Sequence, residues 1–115
     1  MAIKDHPSVE TVVLDISGKV TIGHDAKMRD AIIEASEAGA QNILLNMNRV
    51  TRLDSSGIGE LVAAYLSITN RSGRLLLVGL PENLAATLQI TNLLGVLESY
   101  RDVDEALEAL ENKSE

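Results

Sequence analysis

The chain has 115 residues and a formal net charge of −7, from ten basic and seventeen acidic side chains. That length suits one domain, expected to span residues 1–115 with its core at about 3–110. The acidic balance disfavours nucleic acid, whose phosphates such a surface repels, and the linear sequence shows no basic patch; the lack of cysteine excludes disulfides, thiolate metal sites and thiol catalysis.

Residues 3–6 read as a short strand, with Pro7-Ser8 at the turn. Residues 11–16 (TVVLDI) are β-branched and apolar, a second strand, and Ser17-Gly18 breaks the pattern. A helix over about 25–38 presents Met28, Ile32 and Ala35 on one face, with Gly39 suited to the left-handed position past its end. Residues 43–47 (ILLNM) form a short buried strand, with Met28 and Met47 as core gap-fillers.

The next helix covers about 56–72. Ile58, Leu61, Val62, Tyr65, Leu66 and Thr69 fall at helical spacing, and Gly73 ends it. Residues 75–80 form the most apolar run, a central strand buried on both faces. Pro81 opens a helix to about Ile90, since its missing N–H costs nothing in a first turn. Residues 97–100 suggest a short last strand. Asp102 with Glu105 three residues later predicts a capped final helix, whose stripe is Val103, Ala106, Leu107 and Leu110. The tail from Asn112 is polar and expected to fray. Strands alternating with helices define an α/β domain with a partly parallel sheet.

Other classes drop out. Tyr65 and Tyr100 are the only aromatic residues, too few for a base-stacking platform. The run 75–80 is far short of the roughly 20 residues of a membrane span, and the first five residues start no signal-peptide stretch. A cytoplasmic protein with no direct membrane insertion is the expectation.

The segment Leu53-Asp54-Ser55-Ser56-Gly57-Ile58-Gly59 joins a strand to a helix start and holds two adjacent hydroxyls. The first N–H groups of a helix lack intrahelical partners and carry partial positive charge, so a phosphate is stabilised there. The plainer reading is an ordinary serine N-cap. Catalysis finds little support. The two histidines, His6 and His24, lie early in the chain, His24 at the surface start of the first helix, and no Gly-x-Ser-x-Gly elbow surrounds Ser55 or Ser56. Val62 stands where a dinucleotide fingerprint needs its third glycine, and no Gly-Lys-Ser/Thr phosphate loop occurs. A phosphoaccepting receiver domain fits poorly, because the first long strand offers only Asp15 and the only lysine of the C-terminal half is Lys113. No catalytic residue, metal ligand or cofactor is expected.

The chain resembles a STAS domain of the anti-sigma factor antagonist family. The resemblance rests on Asp54-Ser55-Ser56-Gly57-Ile58-Gly59 between an apolar strand and an amphipathic helix. It is supported by Ile16-Ser17-Gly18-Lys19-Val20, by Gly73-Arg74-Leu75-Leu76-Leu77-Val78 and by Leu88-Gln89-Ile90-Thr91-Asn92-Leu93. One departure is Thr21, where sporulation and stress members of the family often carry an aspartate. The resemblance implies a mixed β-sheet with alternating helices packed mainly on one side. It also implies a phosphorylation-controlled partner switch rather than an enzyme. The unphosphorylated form binds an anti-sigma factor serine kinase and releases a sigma factor, phosphorylation at Ser55 abolishes binding, and a PPM-type serine phosphatase reverses it. The alternative is a non-catalytic STAS docking or accessory subunit of a transport or scaffold complex.

Within this frame Ser55 is the acceptor, and Ser56 is the N-cap or part of the motif geometry. Asp54 either orients the hydroxyl and contacts the kinase or caps the loop through its own backbone bonds. Asp54, Ser56, Gly57, Ile58, Gly59 and Glu60 form the expected partner-binding set. Glu60 also complements the helix dipole. Exposed members of Ile58, Leu61 and Val62 would extend that surface. Arg49 and Arg52 are candidates to pair with the phosphate. The protein alone is expected to be a monomer.

Overall fold

The structure, a computed structural model, describes residues 2–7, 11–20, 27–90 and 97–113. Thr21, His24, the helix start near Asp25 and Thr91 to Leu93 lie outside the described residues, as do the last two residues of the tail.

The elements in chain order are β1 (Ala2–Pro7), β2 (Thr11–Val20), α1 (Lys27–Glu37), β3 (Asn42–Leu53), α2 (Ser55–Asn70), β4 (Arg74–Val78), α3 (Glu82–Ile90), β5 (Glu98–Tyr100) and α4 (Val103–Lys113). They form one α/β domain. The sheet order follows the chain, β1-β2-β3-β4-β5. β1 and β2 pair antiparallel, and the three pairs from β2 to β5 are parallel. Antiparallel neighbours need only a turn, whereas each parallel pair needs a crossover, which α1, α2 and α3 supply.

Alternation along the strands divides the core. Ile43, Leu45 and Met47 of β3 and Leu75 and Leu77 of β4 face inward with Met28 and Ile32 of α1, Leu61, Ala64 and Ile68 of α2, and Leu84 of α3. Leu44, Leu76 and Val78 face outward and meet Ala106 of α4. Three helices thus pack on one side and one on the other. With both faces covered, β4 is buried throughout from Leu75 to Val78. It stops at Val78 rather than at residue 80, because Gly79 turns the chain with φ +65.

Two strands run further than their hydrophobic patterns predict. β2 continues through Ser17-Gly18 to Val20, and β3 continues from Met47 to Leu53. The register shifts between Asp15 and Ser17 and again between Gly18 and Lys19, each time placing an extra residue in β3. Such bulges bend a ladder without ending it. On β2, opposite the second shift, Gly18 adopts φ +85, a backbone conformation that favours glycine. Across them the buried residues of β3 recur as Met47, Val50 and Leu53, a spacing that period-two alternation misses.

The helices differ in smaller ways. The inward seam of α2 is Leu61, Ala64 and Ile68; Tyr65 is half-buried, Thr69 is exposed and Leu66 is 55% exposed. α2 ends at Asn70 rather than Ser72, which adopts the left-handed conformation (φ 62), while the Gly73 N–H still donates to Ile68 O at 2.9 Å. Leu107 of α4 is 38% exposed and lies off the core, leaving Ala106 fully buried between half-buried Val103 and Leu110. Asp102 caps α4 as predicted, accepting the Glu105 N–H at 2.8 Å, but the Glu105 carboxylate reaches back to the Arg101 N–H (3.4 Å). The helix also takes in Asn112 and Lys113.

At the β4–β5 edge, Arg74 Nη2 pairs with Glu98 Oε2 at 2.5 Å, and the Tyr100 hydroxyl donates to the same oxygen at 2.9 Å. Burial, then the adjacent Glu98 carboxylate, push the Tyr100 hydroxyl above its ordinary pKa of 10.0 against an opposing pull from Arg74.

Candidate functional site

The site forms where β2 and β3 end and α2 begins. Leu53 closes β3 with its side chain in the core. Asp54 follows with extended backbone, φ −101 and ψ −175, and is the N-cap of α2. Its N–H donates to Val20 O at 3.3 Å, its carbonyl accepts from the Ile58 N–H at 2.9 Å, and its Oδ1 accepts from the Gly57 N–H at 3.0 Å. One residue therefore ties the end of β2 to the first turn of α2. This corrects the assignment of Ser56 as the cap. A carboxylate at position 54 satisfies the third helical N–H, so the helix starts at Ser55 and Ser56 becomes its second residue.

Ser55 and Ser56 are both exposed. As the first two helical residues, their N–H groups have no acceptor one turn back, and the cap does not use them. Two backbone donors and the positive end of a 16-residue helix thus coincide at two solvent-facing hydroxyls.

The two glycines do different jobs. A Cβ on Gly57 would lie 2.3 Å from Val20 O and 2.7 Å from Leu53 Cδ1, so only glycine lets α2 approach the strand ends this closely. A Cβ on Gly59 would meet nothing within 4 Å. Gly57 is buried structure, whereas Gly59 is an open patch one turn beyond Ser55.

The remaining predicted residues separate by burial. Glu60 is only 8% exposed, and its Oε1 accepts the Arg29 backbone N–H at 3.5 Å. The geometry therefore assigns it to the α1–α2 junction, not to the surface, because position 60 falls on the inward side of the helix beside Leu61. Leu61 is fully buried, while Ile58, which packs partly against the core, and Val62 are half-buried. With Leu66 they fall at i, i+4 and i+8, an apolar ridge that runs from the serines along α2.

Arg49 and Arg52 are exposed. Their register partners Ser17 and Lys19 alternate with the inward-facing Ile16 and Val20, which turns both arginines to the sheet face opposite α2. Among the described residues no group of three or more His, Asp or Glu side chains is placed to hold a metal ion. A crevice lined by Asn46, Asn48, Val78, Gly79 and the start of α4 shares no residue with the site.

The sequence profile of the STAS domain matches residues 1–106. The chain belongs to the STAS domain family. No curated protein is similar enough in sequence to match. Among solved structures, the chain is similar to the anti-sigma factor antagonist SpoIIAA in its unphosphorylated form, with TM-score 0.81 and 23% identity over 96% of this chain and 97% of that one. It is also similar to the Bacillus cell fate determinant SpoIIAA in the phosphorylated form (TM-score 0.73, 22% identity, 95% and 99% covered). A third is a sulfate transporter family protein from Wolinella succinogenes (TM-score 0.75, 24% identity, 86% and 83% covered). At these identities the likeness is one of fold. No described helix is long and apolar enough to cross a membrane.

Proposed function

We propose that this STAS domain is a phosphorylation-controlled binding module of the anti-sigma factor antagonist type, acting in the cytoplasm and without catalysis of its own. The unphosphorylated protein, a monomer by itself, docks on an anti-sigma factor serine kinase and releases a sigma factor. Phosphorylation of Ser55 ends that binding, and a PPM-type serine phosphatase restores it. The observation that carries this reading is the exposed Ser55 hydroxyl at the first position of a capped helix. The similarity to a protein known in both phosphorylated and unphosphorylated forms supports it.

The added phosphate brings about −1.5 to −2 charges. The N–H groups of Ser55 and Ser56, which lack intrahelical acceptors, and the helix dipole accept it without refolding. The effect therefore falls on the partner. The docking surface consists of Asp54, Ser55, Ser56, Ile58 and Gly59, continued by Val62 and Leu66, with Gly57 and Glu60 as its support from inside. A partner surface that closes over Gly59 and the apolar ridge has no room for a hydrated dianion.

The alternative is a fixed docking subunit of a transport complex, which the sulfate transporter relative favours. Binding of the purified chain to its kinase separates the two. A switch loses the partner on Ser55→Asp and keeps it on Ser55→Ala. A fixed subunit keeps its partner in both.

A further inference from the structure

The sheet end beside Ser55 carries a second feature, on the opposite face. Lys19 and Arg52 are register partners on β2 and β3, and Arg49 lies beside Ser17 one step back. All three side chains are exposed, beyond the outward core that α4 covers. Neighbouring strands lie about 4.8 Å apart, so Lys19 and Arg52 form a like-charge cross-strand pair, an arrangement that costs stability.

No Asp or Glu among the described residues forms an ion pair with it. Arg29, Arg71, Arg74 and Arg101 each have a carboxylate within 4.0 Å. Among the described residues, Arg49, Arg52 and Lys19 have none. The strip is invisible in the linear sequence because two strands and two bulges assemble it.

We propose that Lys19, Arg49 and Arg52 anchor an acidic segment of the protein that docks at Ser55. The inference rests on the docking reading above for who the partner is, and on the strip alone for its chemistry. Arg52 and Ser55 are three residues apart, with Cα atoms at most about 11 Å from each other, so a partner that docks at Ser55 and wraps the end of the sheet meets the strip on its other face. Two guanidinium forks and an ammonium match carboxylates. Three cations neutralise too few phosphates to hold nucleic acid or an anionic membrane against a net charge of −7.

The test is a titration of the isotope-labelled full chain with hexaglutamate, followed by amide shifts, in the native sequence, in the triple variant Lys19→Gln/Arg49→Gln/Arg52→Gln, and in Ser55→Asp. The native chain is expected to show shifts centred on residues 17–19 and 49–52, with affinity falling as salt rises. The triple variant is expected to bind about tenfold more weakly with its other amide signals unchanged, and Ser55→Asp to bind like the native chain. Equal binding by the triple variant, or tighter binding of heparin or of phosphatidylglycerol vesicles than of the peptide, would overturn the inference. So would native self-association that the triple variant loses, since it makes a second copy the occupant. Loss of peptide binding in Ser55→Asp alone overturns the strip but leaves the Ser55 switch standing. Conversely, a Ser55 that is never phosphorylated refutes the switch and leaves the titration unaffected.

Discussion

Asp54 and Gly57 hold the start of α2 by different means, and their substitutions should fail differently. Asp54→Ala removes the acceptor of the Gly57 N–H and should cost about 0.5–2 kcal/mol. Gly57→Ala forces a methyl against the Val20 carbonyl and should cost about 1–3 kcal/mol through overpacking. Gly59→Ala meets open space and should stabilise by up to about 1 kcal/mol, because alanine is the better helix former. Urea denaturation of the three variants checks all of these at once. A destabilised Gly59→Ala together with a neutral Gly57→Ala would invert the assigned roles. The motif marks both serines and both glycines but leaves the cap open between Ser56 and Asp54, since serine and aspartate cap equally well. What distinguishes them is that Oδ1 of residue 54 reaches the third helical N–H, which no pattern of residue types records.

Tyr100 supplies a pH prediction at the same scale. Its folded-state pKa is raised above 10.0, chiefly by burial and then by Glu98. A proton held more tightly in the folded state stabilises the fold fully below the unfolded pKa. That contribution is lost as pH rises past 10 through the folded value. Stability measured against alkaline pH should decline there, and less steeply in Tyr100→Phe. Identical profiles would remove Tyr100 from the account.

Between elements, the β2–β3 pair is where expectation and structure part most. Helix positions were legible because α1 and α4 keep a strong amphipathic period and carry readable stops and caps, such as Gly39 and Asp102. The buried strands β3 and β4 announced themselves as apolar runs. The extensions to Val20 and Leu53 were hidden, because bulges replace period two by a spacing of three. These extensions position the site, since Asp54 N–H bonds to Val20 O at the far end of β2. They also set Lys19 opposite Arg52. Arg52→Glu turns this repulsion into attraction and should stabilise the protein by about 0.2–1 kcal/mol. A drop in stability on that substitution would mean that the pair is compensated in the native chain. Leu66→Ser, on the exposed ridge of α2, should leave stability within about 0.5 kcal/mol while weakening kinase binding. Unchanged binding would shorten the docking surface to the first turn.

For the whole molecule, the sheet and its inward core form a rigid base, and the site is a surface property of one helix start. Ser55→Asp places an acid where the helix dipole favours it, so the fold should keep its stability to within about 1 kcal/mol. Hydrogen exchange should change only around residues 55–61, while β4, buried on both faces, stays protected. Global loss of protection would contradict a switch that works at its interface. The sequence resemblance carried the family and the fold, because the motif spans a strand end and a helix start that recur in it. Which face each motif residue presents was not legible. Glu60 and Ser56 are both polar residues near the start of α2, though Glu60 is its sixth residue and lies past the first turn; one is inside and the other outside, and only the helical phase relative to the core decides that.

The proposed switch stands on regulated phosphorylation of Ser55. Intact mass and peptide mapping of the native protein, recovered from growing and from stressed cells, tests it most directly. One phosphate is expected, on Ser55, with an occupancy that changes with condition. A chain that is never modified and stays bound in one stable complex under both conditions would contradict it and make Ser55 a fixed contact residue.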